Sequence, residues 1–258
     1  MSAPSVAVHH NAETLAAAVS ARLITRLVDA QSSGRTARIV LAGGTIADRI
    51  HRAVATSEAR DAVDWAAVEV WWGDERFVAA DDPERNDRQA RETLLDALPL
   101  NPRLVHPMPT PDLAEGDPDL AAEMYADELA AAAGPGDHGG VPTFDVLLLG
   151  VGPDGHVASL FPGRPALYDE RSVVGVRGSP KPPPVRVTMT MPTLQRAHDV
   201  WFVVSGEDKA RAVHLALGGA GVVQVPAAGP RGIQSTWWML DRAAASQLPP
   251  DLGRMASP

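Results

Sequence analysis

Apolar runs of strand length alternate along this chain with stretches in which apolar residues recur every three or four positions. Leu15, Ala18, Val19, Leu23 and Leu27 follow the second rhythm and predict an amphipathic helix over residues 11–30, with Asn11 as its cap. Residues 37–42 then read as a buried strand, Gly43-Gly44-Thr45 as a turn, 46–55 as a second helix and 68–72 as the next strand. A helix over 86–97 ends before Pro99, and the proline-rich stretch 99–118 reads as a loop crossing or a short extended strand. A helix over 119–132 and a loop over 134–140 complete the first half. In the second half the same rhythm predicts a strand at 146–149, a glycine-rich turn, an apolar extended stretch at 185–191 and a short helix at 193–197. A strand at 200–204, a helix at 207–217, a strand at 236–240 and a helical turn from Asp241 complete the chain. Strands alternating with helices are the mark of an α/β protein built on a parallel sheet. No fixed-period repeat and no long linker divides the 258 residues, so one domain is expected, with 1–10 and 247–258 as loose termini.

Composition narrows the function. Thirty-two acidic against 23 basic residues give a net charge of −9, which argues against nucleic acid or an anionic membrane as partner. An anionic ligand would need a local basic pocket. Cysteine is absent, which excludes disulfides, thiolate nucleophiles and cysteine metal sites, and the N-terminus shows no basic segment leading into an apolar stretch. A cytoplasmic location is therefore expected. Only two of the basic residues are lysines, Lys181 and Lys209, so a lysine in this chain is an exception.

The chemistry collects where predicted strands end. Residues 144–149 run into Gly150-Val-Gly152-Pro-Asp154-Gly155-His156, which formally matches the dinucleotide-binding Gly-x-Gly-x-x-Gly pattern. That pattern needs a long helix directly after its third glycine, whereas here Phe161-Pro162-Gly163 breaks the chain within a few residues. The turn instead offers Asp154 beside His156, a carboxylate that can orient an imidazole for general base work, or else a polar turn capped by Asp154. Gly43-Gly44-Thr45 can present backbone N–H groups to an anion at a helix start, or simply make a tight connection. Asp74-Glu75-Arg76 comes after the 68–72 strand, and Arg76 can grip a phosphate with Asp74 or Glu75 orienting it; a solvated ion pair is the alternative. Arg186 and Thr188 share one face of an extended segment, and Lys209 lies in the first turn of a helix, where a bound anion would offset its unfavourable position. There is no Gly-x-Ser-x-Gly elbow and no His-Glu-x-x-His pair, and Trp71, Trp72, Trp237 and Trp238 read as core or rim residues.

These segments, in this order, resemble the glucosamine-6-phosphate isomerase/6-phosphogluconolactonase family. The likeness lies in Leu-Ala-Gly-Gly-Thr45, Trp71-Trp-Gly-Asp-Glu-Arg-Phe-Val78 with Glu84-Arg-Asn86, Phe144 through Gly163, Lys181-Pro-Pro-Pro-Val-Arg-Val-Thr188 and Ser205-Gly-Glu-Asp-Lys-Ala210, and spans roughly residues 10–245. It implies a Rossmann-like, doubly wound, mainly parallel sheet with helices on both faces. It further implies hydrolysis of 6-phosphogluconolactone in the oxidative pentose phosphate pathway, without metal or other cofactor. On that resemblance His156 is the base that deprotonates water and Asp154 holds its ring. Gly43, Gly44, Thr45, Asp74, Arg76, Asn86, Gly155, Arg186 and Lys209 bind substrate, with donors near Gly43 and Gly44 facing the oxyanion and Arg76, Arg186 and Lys209 around the phosphate. The chain departs from the family's usual Gly-Gly-Ser-Thr-Pro at Ile46 and Ala47, which lack the second hydroxyl and the proline.

The resemblance leaves two rivals. A sugar-phosphate isomerase or deaminase would carry an acid soon after the histidine turn, but none comes after His156 before Asp169. A non-catalytic sugar-phosphate regulator could keep the same pocket. The expected partner is a phosphorylated sugar lactone, on a monomer or weak homo-oligomer.

Overall fold

The computed structural model describes residues 3–249 and the backbone of Arg254–Met255. Ten strands are described: β1 (Ser5–His9), β2 (Ala37–Leu41), β3 (Val68–Trp72), β4 (Asp74–Arg76), β5 (Phe144–Leu149), β6 (Val173–Val176), β7 (Arg186–Met189), β8 (Ala197–Val204), β9 (Ser235–Asp241) and β10 (Arg254–Met255). Between them lie α1 (Ala12–Gln31), α2 (Thr45–Thr56), α3 (Asn86–Thr93), α4 (Pro118–Ala132), α5 (Met191–Leu194) and α6 (Ala210–Leu217).

Seven strands form one all-parallel sheet in the order β10-β1-β9-β8-β5-β2-β3. Its central strands are apolar at consecutive positions because both faces are covered. Ile39, Leu41, Val146, Leu148, Trp201 and Val203 pack on one face with Leu15, Val19, Leu23 and Leu27 of α1 and Ile50 and Val54 of α2. The alternate residues Val40, Leu147, Leu149, Val200, Phe202 and Val204 pack on the other with Tyr125 and Leu129 of α4 and Val213 of α6. The two-residue period of the strand thus divides one apolar run between two cores, giving the doubly wound, Rossmann-like arrangement. Asn11 starts α1 as expected: its side chain accepts from the amides of Glu13 and Thr14, and Thr14 Oγ1 accepts from the Asn11 amide. Such a cap contributes about 1 kcal/mol.

From β2 the chain steps outward to β3, whereas β5 and β8 lie on the other side of β2. The strand order therefore reverses between β2 and β5, and a crevice opens beyond their carboxyl ends, where ligands bind in sheets of this kind.

A second, antiparallel sheet, β4-β7-β6, is not foreshadowed by the hydrophobic pattern. β4 comes after β3 beyond Gly73, and β7 is tied to that corner by the Met189 amide donating to the Gly73 carbonyl at 2.9 Å. This small sheet carries Arg76 and Arg186 to the crevice.

Several boundaries need correction. Residues 5–9, expected in a loose terminus, form β1 and pair with β9, Val6 opposite Trp238. This strand leaves no clear sequence signal because it is only five residues long and its apolar part is just Val6, Ala7 and Val8. Within 247–258, Arg254 pairs with Ala7 through the backbone, while 250–253 and 256–258 lie outside the described residues. The helix expected over 86–97 ends at Thr93 and resumes as a 3₁₀ turn over Leu95–Ala97. The short helix expected at 193–197 sits two residues earlier, with Pro192 in its first turn. Residues 207–209 form a 3₁₀ turn ahead of α6, so Lys209 caps that helix rather than lying in its first turn. The extended piece expected within 99–118 is a bridge from Val105 to Val70. Among the described residues no helix is long and apolar enough to cross a membrane.

Candidate active site

β5 is wholly buried and ends against Gly150, so the next turn emerges at the crevice. There His156 Nδ1 lies 2.5 Å from Asp154 Oδ1. Burial, the largest influence on Asp154, works to raise its pKa, but the hydrogen bond from His156 and the charges of His156 and Lys181 hold it at about 2. An ionised carboxylate accepts only, so Nδ1 donates, and in the neutral ring the lone pair sits on Nε2. The ring also leans on Phe161, centroids 4.5 Å apart. Gly152 leaves the space the pair occupies: a Cβ there would fall 2.0 Å from His156 Nδ1 and 2.6 Å from Asp154 Oδ1. Gly155 has φ +83° and packs under Val225, so it shapes the turn from behind. No helix comes directly after it, in keeping with the break at 161–163.

The turn after β2 serves a different purpose. Gly44, at φ +100°, caps the 12-residue α2 without any side-chain hydrogen bond, leaving first-turn amides for an anion. Gly43 must lack a side chain because Asn86 Oδ1 would lie 1.9 Å from a Cβ there. Asn86, the first residue of α3, is itself pinned: its amide donates to Glu75 at 2.7 Å and its Nδ2 to the Asp74 carbonyl at 2.8 Å. Glu75 also accepts from the Arg76 and Asp87 amides, at 2.7 and 2.8 Å. Burial pushes its carboxyl up to about 7, against the nearby Arg85 charge and those three donors.

β4 and β7 set Arg76 directly opposite Arg186 and Asp74 opposite Thr188. Like charges in facing positions repel. Arg76 donates through Nη1 to Asn86 Oδ1 and to the Glu84 carbonyl, while its buried Nε has no hydrogen-bond partner among the described residues. Arg186 is 5% exposed; burial chiefly, and Arg76 besides, lower its pKa against the pull of Asp74, 3.9 Å from its Nη1. Asp74 in turn accepts from Ser159 Oγ at 2.6 Å.

The crevice is a cleft of about 580 Å³. It gathers Gly43, Gly44, Thr45, Asp74, Arg76, Asn86, His156, Arg186 and Lys209 of the expected set; Asp154 and Gly155 support the histidine from outside its lining. Two further cations line it that sequence reasoning did not single out as site residues. Arg49 stands four residues after Thr45 on α2, and helical spacing from the glycine turn could have found it. Lys181 is the other, so both of the chain's lysines are here, and their rarity was the available signal. Ile46 lines the cleft too, placing an apolar side chain where a second hydroxyl is lacking. The arrangement offers an oriented base beside a dense local positive field in a chain of net charge −9.

Known proteins resemble this chain over nearly its whole length. The 6-phosphogluconolactonase of Streptomyces coelicolor is 54% identical over 256 residues, covering 98% of each chain. That of Mycobacterium tuberculosis is 46% identical over 247 residues, covering 95% of this chain and 98% of its own. The solved structure of 6-phosphogluconolactonase from Trypanosoma brucei superposes with a TM-score of 0.83 at 29% identity, over 95% of this chain and 99% of that one. The sequence profile described as Glucosamine-6-phosphate isomerases/6-phosphogluconolactonase matches residues 10–238, and the chain belongs to that family of enzymes.

Proposed function

We propose that this enzyme hydrolyses 6-phosphogluconolactone to 6-phosphogluconate in the oxidative pentose phosphate pathway, with His156 as general base. The observation that carries the reading is the Asp154–His156 pair at the end of β5, facing a cleft lined by Arg49, Arg76, Lys181, Arg186 and Lys209. The names of its close relatives support the substrate.

In the proposed step His156 Nε2 takes a proton from water as the water oxygen attacks the lactone carbonyl carbon. The carbonyl oxygen becomes an oxyanion. The bond from that carbon to the ring oxygen then breaks, and His156 returns the proton to the ring oxygen. Asp154 keeps the imidazole in the reactive tautomer and stabilises its charged form. Arg76, Arg186 and Lys209 bind the phosphate, whose charge relieves the repulsion between the two facing arginines.

The test is a coupled assay on freshly generated lactone, without added metal or nucleotide and with the spontaneous rate subtracted. Excess hydrolysis is expected with the phosphorylated lactone and far less with unphosphorylated gluconolactone, and replacing Arg76 or Lys209 by Met should narrow that difference. Absence of any excess rate in the wild type overturns the reading.

A further inference from the structure

The positive groups of the cleft divide into two sets. Arg76 is joined through Asn86 to the turn at Gly43, and Arg186 faces Arg76 across the β4–β7 ladder, so the amides at the start of α2 and these arginines form one set. Lys181 differs from them in lying beside the Asp154–His156 pair, while Arg186 holds its carbonyl and its ammonium feels the charges of Lys209 and Arg186. Its Nζ lies 3.8 Å from Asp154 Oδ1, the same oxygen that meets His156 Nδ1. That distance is too long for a hydrogen bond, so the donors of its ammonium are not spent on Asp154. Lys209, by contrast, already gives one to Asp208 Oδ2 at 2.6 Å.

The backbone beneath Lys181 is held in place. Its carbonyl accepts from Ser179 Oγ at 2.9 Å, its amide donates to the same hydroxyl at 3.2 Å, and Arg186 donates to the carbonyls of Lys181, Pro182 and Pro183. The three prolines after it limit the strap further. The backbone of this lysine is thus fixed, and its flexible side chain carries a point charge to the edge of the Asp154–His156 pair in a chain that otherwise uses arginine.

We infer that Lys181, rather than the donors near Gly43 and Gly44 that the family resemblance implies, serves the reacting end of the substrate, where its ammonium meets the carbonyl oxygen as it becomes an oxyanion and afterwards the product carboxylate. This rests on the proposed hydrolysis, since the reacting carbon must lie within reach of His156 Nε2 and Lys181 is the cation beside the Asp154–His156 pair. Burial foremost, and then Lys209 and Arg186, lower the Lys181 pKa against the pull of Asp154. An oxyanion beside it would counter that loss just when the charge is needed.

Calorimetry separates this inference from the hydrolysis itself, because it uses stable ligands. Wild type and Lys181→Met are titrated with 6-phosphogluconate and with sorbitol 6-phosphate, which keeps the phosphate but has an alcohol in place of the carboxylate. The wild type is expected to prefer 6-phosphogluconate, and Lys181→Met to lose about tenfold of that preference while binding sorbitol 6-phosphate as before. Lys209→Met should weaken both ligands together, and Lys181→Arg should restore part of the preference. In the lactone assay Lys181→Met should lower kcat about 100-fold with little change in KM. An unchanged preference in Lys181→Met, equal weakening of both ligands, or a wild type that does not distinguish them overturns the assignment. The hydrolysis reading fails separately, on the excess rate of the wild type.

Discussion

The turn after β2 and the turn after β5 both place glycines at the end of a buried strand, yet only the first opens a helix. At Gly43-Gly44 the missing side chains let Asn86 close in and leave the α2 amides uncapped. At Gly150–Gly155 the space is filled by the chain's own Asp154 and His156, and the backbone goes on into a bend. One turn is shaped to receive charge from a ligand, and the other to hold a base. The element each turn leads into, and the side chains packed against it from elsewhere in the chain, set its chemistry more than the spacing of its glycines does.

Alanine substitutions break this comparison in different ways. The larger effect is expected from Gly152→Ala, whose Cβ would strike both partners of the Asp154–His156 pair. A shift of about 1 Å in a catalytic group costs about 100-fold in rate, so steady-state assays should show kcat falling by that order, with binding of 6-phosphogluconate nearly unchanged. Gly43→Ala would instead displace Asn86 and, through it, Arg76. Its expected signature is binding of 6-phosphogluconate weakened about tenfold, measured by calorimetry, with the smaller change in kcat.

The smallest effect concerns the support of the first turn. Glu75 holds Asn86 against Gly43, and its carboxyl lies at about 7 in the folded chain against an ordinary 4.5, chiefly because it is buried. The folded state therefore keeps a proton that the unfolded state gives up between those values. This contribution to stability is fully present below about 4.5 and declines as pH rises through about 7. Thermal unfolding of wild type and Glu75→Gln from pH 5 to 8 should show the wild type losing a few degrees relative to the variant as pH rises. A constant difference would contradict the burial account.

The sequence disclosed the parts of this molecule that are local. Leu147 and Leu149 alternate with Val146 and Leu148 within one strand, and Asp154 lies two residues from His156, so neither needed knowledge of the rest of the chain. The antiparallel sheet was hidden because β4 is three charged residues and β6 is four residues broken by Gly175, and both are strands only through their pairing with β7. The same distance in sequence hid the reason for Gly43, which lies in Asn86, and the place of Lys181, which a proline strap carries back over the β5 turn. Arg186 and Lys209 were legible because Arg186 alternates with apolar residues in one extended segment and Lys209, one of only two lysines, lies three residues after Gly206 at the end of a strand.

Catalysis in the proposed mechanism depends most on His156 acting as the base at the β5 turn, and the direct measurement is the excess rate of lactone opening by wild type and His156→Ala in the same coupled assay. With the spontaneous rate subtracted and folding checked by circular dichroism, the variant is predicted to lose about 1,000-fold of the wild-type excess, while still binding 6-phosphogluconate. A His156→Ala protein that retains the full excess rate would contradict it.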